Sequence, residues 1–347
     1  MNIKKVNTHE LEKCYAIAPL KYNDQDYILV AAEKVNKCLL FDLEGHVVDT
    51  VWDGPGGTMS MVQVPNSNGQ FVATQKFYSP NDSKEAKLVL VTPIAKGNWD
   101  VKIIAELPFV HRFDIVNKDG VNYVIACTIK SDHEFKDDWN HPGKILTAVM
   151  PDDLSTLDEN HQLQFTAIKE GLTKNHGYYR VKKENEDYSL VGTDNGVFKV
   201  GLTGKGVNDW YIEKLLDIPC SDMAEADFDG DGVNEIITIS PFHGDTIRVF
   251  KNVNGTYEKV WECPMKMEFA HSIWAGKLFD QDCAIIGHRK GERNLVMFSY
   301  ENGAYKYDIL DHDCGSANVF RYQRGNVECL VSTNREINEI AFYEFSR

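Results

Sequence analysis

Short apolar segments recur along the chain at intervals of about 50 residues. Most of their side chains are β-branched, aromatic or leucine, which favours buried β-strands. A polar turn precedes each segment and an alternating strand follows it, as in Asn117-Lys118-Asp119-Gly120 before the third and Thr246-Ile247-Arg248-Val249-Phe250 after the fifth. The seven segments are 27–30, 71–74, 123–126, 188–191, 235–238, 283–286 and 328–331.

Each repeat contains four strand-like stretches, and seven repeats of this length predict an all-β, seven-bladed propeller with four-stranded antiparallel blades. The last repeat lacks its fourth strand, because the chain ends at Arg347 directly after the stretch 338–343. Residues 2–7 are strand-like and precede the first repeat. We therefore expect the N-terminal strand to complete the last blade of a single domain spanning residues 1–347.

Composition narrows the possible partners and the compartment. The formal net charge of −15 argues against nucleic acid or an anionic membrane as the main partner. The start of the chain lacks the apolar core of a signal peptide, and no later run approaches the length of a membrane span. Eight cysteines without CxxC pairs indicate reduced thiols, so we expect a cytoplasmic protein. The sequence leaves its oligomeric state open.

The stretch 227–235 has the form of a compact calcium loop inside a β-hairpin. Oxygen ligands fall at every second position, from the side chains of Asp227, Asp229, Asp231 and Glu235 and the carbonyl of Val233. A strand follows at once, whereas an EF-hand loop needs a helix on each side. The spacing resembles the calcium loop of FG-GAP and VCBS repeats, whose units build propellers. An Asp/Gly-rich hairpin without an ion is the alternative.

A second candidate site appears when the repeats are overlaid. The position twelve residues before each apolar segment begins an innermost strand. These seven positions, here called the column, are Tyr15, Met59, His111, His176, Met223, His271 and Ser316. Three of the seven are histidines. Innermost strands line the channel of a propeller, so His111, His176 and His271 could bind one Zn, Mn, Fe or Ni ion. Alternatively, each imidazole is buried and bonded to a backbone carbonyl. The calcium loop belongs to the opposite face, which gives it a structural role.

Basic and aromatic side chains follow the second strands on the histidine face. A long loop at 131–143 carries Trp139 on the same side. Such a rim suits a small anionic or polyhydroxylated carbohydrate, because lysine and arginine donate to carboxylates and hydroxyls. The predicted substrate contacts are Lys34, Lys76, Trp139, His288, Arg289 and Arg335, and the rim also includes Lys130 and Lys290.

These features predict a metal-dependent lyase or dehydratase acting on a uronate or keto-sugar. The metal would acidify a C–H bond next to a carbonyl or carboxylate, and Tyr178, Tyr15 or Lys130 would abstract the proton. The repeats resemble the propeller region of aldos-2-ulose dehydratases, and the site is similar in kind to the histidine-rich metal site of oligogalacturonate lyases. The alternative is a non-catalytic propeller of the FG-GAP type that binds a glycan or a protein.

Overall fold

The computed structural model describes residues 2–35, 37–183, 186–206 and 209–347. They form seven four-stranded sheets, the blades of an all-β propeller. Two single turns of 3-10 helix accompany the strands, η1 (Leu154–Thr156) and η2 (Arg335–Ile337). The seven-bladed fold predicted from the sequence is confirmed.

Six blades each take four consecutive strands. Blade 1 contains β2 (Cys14–Tyr22), β3 (Gln25–Ala32), β4 (Cys38–Phe41) and β5 (Val47–Trp52). Blade 2 contains β6 (Met61–Gln63), β7 (Phe71–Gln75), β8 (Lys87–Ala95) and β9 (Asn98–Glu106). Blade 3 contains β10 (Val110–Lys118), β11 (Val121–Lys130), β12 (Pro142–Val149) and β13 (Thr166–Leu172). Blade 4 contains β14 (Gly177–Lys182), β15 (Asp187–Thr193), β16 (Gly196–Leu202) and β17 (Trp210–Leu216). Blade 5 contains β18 (Asp222–Ala226), β19 (Glu235–Ser240), β20 (Thr246–Val253) and β21 (Thr256–Glu262). Blade 6 contains β22 (Ala270–Leu278), β23 (Gln281–His288), β24 (Leu295–Glu301) and β25 (Ala304–Asp311).

The N-terminal strand completes blade 7, as the sequence predicts. That blade has the order β1 (Asn2–Glu10), β28 (Glu339–Ser346), β27 (Val327–Asn334) and β26 (Asn318–Arg324). β1 runs antiparallel to β28, in register from Asn2 opposite Ser346 to Glu10 opposite Glu339, with an irregularity between Lys5 and Asn7. The outer edge of β28 is therefore covered by a strand from the other end of the chain.

The position of a strand in its blade follows from its side-chain pattern. Second strands are covered on both faces and read as continuous apolar runs, such as the six fully buried residues of β19. Fourth strands alternate weakly and are largely exposed, as in β21 and β25. Third and fourth strands of blades 5 and 6 join through Asn254-Gly255 and Asn302-Gly303, where both residues have positive φ, as tight hairpin turns require.

The chain divides into two compact units. The first comprises residues 1–10, 177–199 and 213–347, and the second comprises residues 11–176 and 200–212. In the first unit, one core cluster joins blades 5 and 6 through side chains such as Ile237, Ile286 and Phe298. The single-domain boundary of 1–347 stays a prediction.

Two further findings bear on the environment of the protein. All eight cysteines are buried free thiols. Within the described parts of the chain, no helix has the length and apolar character needed to cross a membrane.

Candidate functional site

In the second unit, hydrogen bonds connect column positions of adjacent blades. The Ser60 hydroxyl donates to the carbonyl of His111 at 3.3 Å, and the Arg112 guanidinium donates to the carbonyl of Met59 at 2.9 Å. His111 Nδ1 donates to the carbonyl of His176 at 3.2 Å. Column positions from blades 2, 3 and 4 therefore lie side by side, in the order the overlay predicts.

His111 and His176 form a close imidazole pair. Their ring centroids are 4.4 Å apart at an interplanar angle of 33°, and the residues are only 3% and 1% exposed. Phe77 packs edge-on against His111 at 5.0 Å. Since a carbonyl can only accept, Nδ1 of His111 carries a proton, and in the neutral form of the ring the lone pair is on Nε2.

His271, in the first unit, makes the corresponding contact. Its Nδ1 donates to the carbonyl of Ala317 at 2.8 Å, next to the column position Ser316. In the neutral form of this ring the lone pair is again on Nε2. A buried histidine that bonds a backbone carbonyl agrees with the interpretation without a metal. Histidines that bind a metal through one ring nitrogen commonly make the same bond through the other. One ion shared by His111, His176 and His271 stays a prediction.

Sequence reasoning missed His243, which lies close to His271. The two ring centroids are 5.4 Å apart, and His243 stacks on Phe242 at 3.9 Å and Phe269 at 4.3 Å. His243 occupies the turn after β19, where its backbone N–H donates to the Ser221 hydroxyl at 3.1 Å. It is outside the repeat column. The sequence feature that could have identified His243 is its position shortly after the second strand of a blade.

The proposed proton acceptors occupy different environments. The Tyr178 hydroxyl is 2.5 Å from the Ser189 hydroxyl. Tyr15 is buried, with the Arg112 guanidinium 5.9 Å from its ring. Lys130 is fully buried instead of lying on the rim: its Nζ donates to the carbonyl of Asp138 at 2.7 Å. Burial lowers the pKa of Lys130, against the opposing effect of Asp138.

Trp139 covers Lys130. Its ring lies 4.2 Å from the Lys130 ammonium and 5.7 Å from that of Lys174. The buried Asp138 carboxylate fixes the same loop by accepting from the backbone N–H groups of Glu134 and Asn140, at 3.0 and 2.9 Å. Asp138 thus helps to order the loop at 131–143, and Asn81 also binds Asp137 of this loop, at 2.8 and 3.1 Å.

The other predicted rim residues are largely neutralised by neighbours. Lys34 is exposed, and Lys76 pairs with Glu85 at 2.8 Å. Arg289 and Arg335 both bind Glu336, at 2.7 and 2.8 Å. Burial would raise the pKa of Glu336, but these guanidiniums hold it below its usual range. Lys76, Arg289 and Arg335 are therefore each paired with a carboxylate, which the sequence alone does not reveal.

His288 has a structural contact on each ring nitrogen. Nδ1 donates to the carbonyl of Lys290 at 2.9 Å, and Nε2 accepts from the backbone N–H of Asn294 at 2.9 Å. Burial lowers the pKa of His288, which keeps the ring neutral near pH 7. His288 thus stabilises its own hairpin. These two contacts explain the position of the side chain without a role in substrate binding.

The predicted calcium loop folds around its own carboxylates. Gly232 N–H donates to Asp227 at 3.0 Å, Val233 N–H donates to Asp231 at 3.0 Å, and Phe228 N–H donates to Glu235 at 2.8 Å. The loop precedes β19 and His243 follows it, so they occupy opposite ends of a strand about 20 Å long.

A lysine that the sequence analysis did not include lies among these carboxylates. Lys251 Nζ is 2.8 Å from Asp231 Oδ2 and 3.0 Å from Glu235 Oε1, and it also pairs with Asp229. Lys251 belongs to β20 and is the cross-strand partner of Glu235. Calcium at this loop stays a prediction.

Comparison with known proteins supports the fold and no finer assignment. No protein-family model and no curated protein matches the chain. The chain is similar to a solved structure of the Dos1 propeller, with a TM-score of 0.55 and 8% sequence identity over 92% of this chain and 75% of that one. At this identity the similarity shows the fold alone, and the FG-GAP/VCBS resemblance stays a prediction. The chain has the fold of a seven-bladed β-propeller.

Proposed function

We propose that this propeller binds a divalent transition metal through its column histidines and acts as a lyase or dehydratase on a small anionic sugar derivative. The observation that carries the proposal is the His111–His176 pair in the second unit. Two buried imidazoles lie 4.4 Å apart, and the Nδ1 proton of His111 is committed to a carbonyl. The Nε2 lone pair of His111 is then the one suited to a metal.

The separation of the two rings is compatible with two ligands on one ion. Metal–nitrogen bonds of about 2.1 Å at near-tetrahedral angles place the two nitrogens about 3.4 Å apart. Imidazole rings whose centroids are 4.4 Å apart can meet that spacing. Imidazole suits Zn, Mn, Fe or Ni, and a site with few protein ligands leaves positions for water and substrate.

The proposed reaction is an elimination from a uronate or keto-sugar. The metal, when bound, supplies the Lewis acid that polarises the substrate carboxylate or carbonyl. A protein base takes the proton from the adjacent carbon, the carbon–oxygen bond one position further breaks, and the leaving oxygen takes up a proton. No oxidant is needed. Among Tyr15, Tyr178 and Lys130, we propose Lys130 as base, and the lowering of its pKa by burial supports that choice. Access to it requires Trp139 to move.

A cytoplasmic location is part of the same proposal. The supporting observation is that all eight cysteines are buried thiols with no disulfide.

Metal content and turnover test the proposal together. We expect purified protein to retain about one transition-metal ion per chain, and His111→Ala and His176→Ala to lose it. His161→Ala is the matched control, because His161 is an exposed histidine of the same unit. Turnover would be followed by the ultraviolet absorbance of the conjugated double bond formed from uronate and keto-sugar substrates.

Two outcomes contradict the proposal. Equal metal content in the wild type and in both column variants would remove the metal site. Metal-free wild-type protein without turnover would favour the non-catalytic propeller that binds a glycan or a protein.

A further inference from the structure

The hairpin that joins β18 to β19 places four carboxylates close together. Asp227, Asp229 and Asp231 are partly or largely exposed, but Glu235 is 0% exposed. Burial raises the pKa of Glu235, which reflects the cost of keeping a carboxylate ionised away from water. A buried carboxylate among others needs a positive partner, and in calcium loops the ion provides it.

In this protein Lys251 meets that need. Its ammonium contacts Asp229, Asp231 and Glu235, the last two at 2.8 and 3.0 Å, and the side chain is only 17% exposed. Burial would lower the pKa of Lys251, but the three carboxylates raise it overall. The same ammonium lowers the pKa of Asp231. The Lys251 ammonium and the Asp231 carboxylate therefore stabilise each other's charged forms.

The sheet register explains why Lys251 reaches the loop. Glu235 is the first residue of β19, and Lys251 lies directly opposite it on β20. The corresponding position on the third strand holds Ser299 in blade 6 and Phe345 in blade 7. Neither of those residues can supply a charge.

Blade 7 shows the same requirement met in another way. Glu328 occupies the position of Glu235 in the repeat overlay and is also buried. Its carboxylate pairs with Arg321, which lies on the neighbouring strand β26. Two blades with a buried glutamate at this position thus each provide a basic side chain from an adjacent strand.

A calcium ion in this loop would compete with Lys251 for the same carboxylate oxygens. A calcium ion binds carboxylate oxygens at about 2.3–2.6 Å, and the Lys251 nitrogen already lies within about 3 Å of the same oxygens. The ion and the ammonium would be near neighbours, and like charges at about 4 Å repel by several kcal/mol at the effective dielectric constant of a protein surface.

We propose that Lys251 is the built-in cation of this hairpin and takes the place that calcium has in loops of similar sequence. The hairpin is then independent of calcium in the wild type, and removing the ammonium exposes a latent calcium site. This inference concerns the end of blade 5 opposite to His243 and is independent of the proposed enzymatic function.

The test compares thermal unfolding in EGTA and in millimolar CaCl₂. For the wild type we expect the same Tm in both solutions. For Lys251→Met we expect a Tm several degrees lower in EGTA and recovery of most of that loss in calcium, because an ion that binds only the folded state stabilises it. Lys259→Met is the matched control: Lys259 lies on the neighbouring strand β21 and pairs with Glu262, outside the loop. It should show no response to calcium.

Calcium binding by the wild type, measured by titration calorimetry, or a lower wild-type Tm in EGTA, would overturn the proposal. A folded Lys251→Met variant whose Tm ignores calcium would also overturn it. If that variant does not fold, the wild-type titration decides, since it needs no substitution.

Discussion

Lys5 should hold the N-terminal strand in blade 7, and its replacement should measurably destabilise the protein. Its ammonium lies 2.9 Å from Asp311 and 2.9 Å from Glu339, with each of the three side chains about a quarter to a third exposed. Burial would lower the pKa of Lys5, but hydrogen bonds to Glu339 and Asp311 raise it overall. The Tyr343 hydroxyl also donates to Asp311 at 2.7 Å, so Lys5→Met removes the cation of a connected network.

The expected loss in unfolding free energy is about 2 kcal/mol. Exposed ion pairs contribute about 0–1 kcal/mol, whereas removing one partner of a buried pair costs about 3–5 kcal/mol. The Lys5 network lies between these limits because its side chains are partly screened by solvent. With an unfolding entropy of about 2.1 cal/mol/K per residue, a chain of 347 residues should lose about 3 °C in Tm.

The assay is a thermal melt followed by circular dichroism, with Lys4→Met as the control. Lys4 is the adjacent, exposed residue of the same strand, so its replacement changes the charge equally. The folded pKa of Asp311 is lowered, because Lys5 and Tyr343 outweigh the effect of burial. The stabilisation is therefore complete above the unfolded pKa of an aspartate, about 3.9, and disappears as the pH falls through the lower folded value.

Two results would refute this reasoning. One is equal Tm values for Lys5→Met and Lys4→Met at pH 7. The other is a difference between Lys5→Met and wild type that persists undiminished in strong acid, since a protonated Asp311 no longer attracts the ammonium.

Two further predictions concern the chain ends and the long loop. Deleting residues 1–7 should lower Tm by more than Lys5→Met does, because it removes most of β1 and uncovers the edge of β28; an unchanged melt would contradict closure by this strand. Asp138→Ala should speed hydrogen exchange within residues 131–143 while Lys136→Ala, an exposed control in the same loop, does not. Equal exchange in the two variants would show that the Asp138 contacts do not order the loop.

The sequence alone determined the repeat and its closure. Apolar segments such as 123–126 and 283–286 lie within second strands, and residues 2–7 lie within β1, as predicted. These features are readable because strand formation follows local alternation and burial on both faces, which leave a periodic pattern along the chain. The histidine column could be found in the same way, since equivalent positions in a repeat occupy equivalent places in the blades.

Only the tertiary structure decided which charges are compensated and which side chains are accessible. Lys251 reaches Glu235 through cross-strand register, Arg289 and Arg335 share Glu336, and Lys130 is buried beneath Trp139. No periodic signal marks such contacts, because each depends on one strand pairing or one loop conformation that a single blade has and the others lack. A local sequence pattern that repeats along the chain thus determines the fold of this protein. The electrostatics of its candidate sites depend instead on contacts that do not repeat and that join segments distant in the chain.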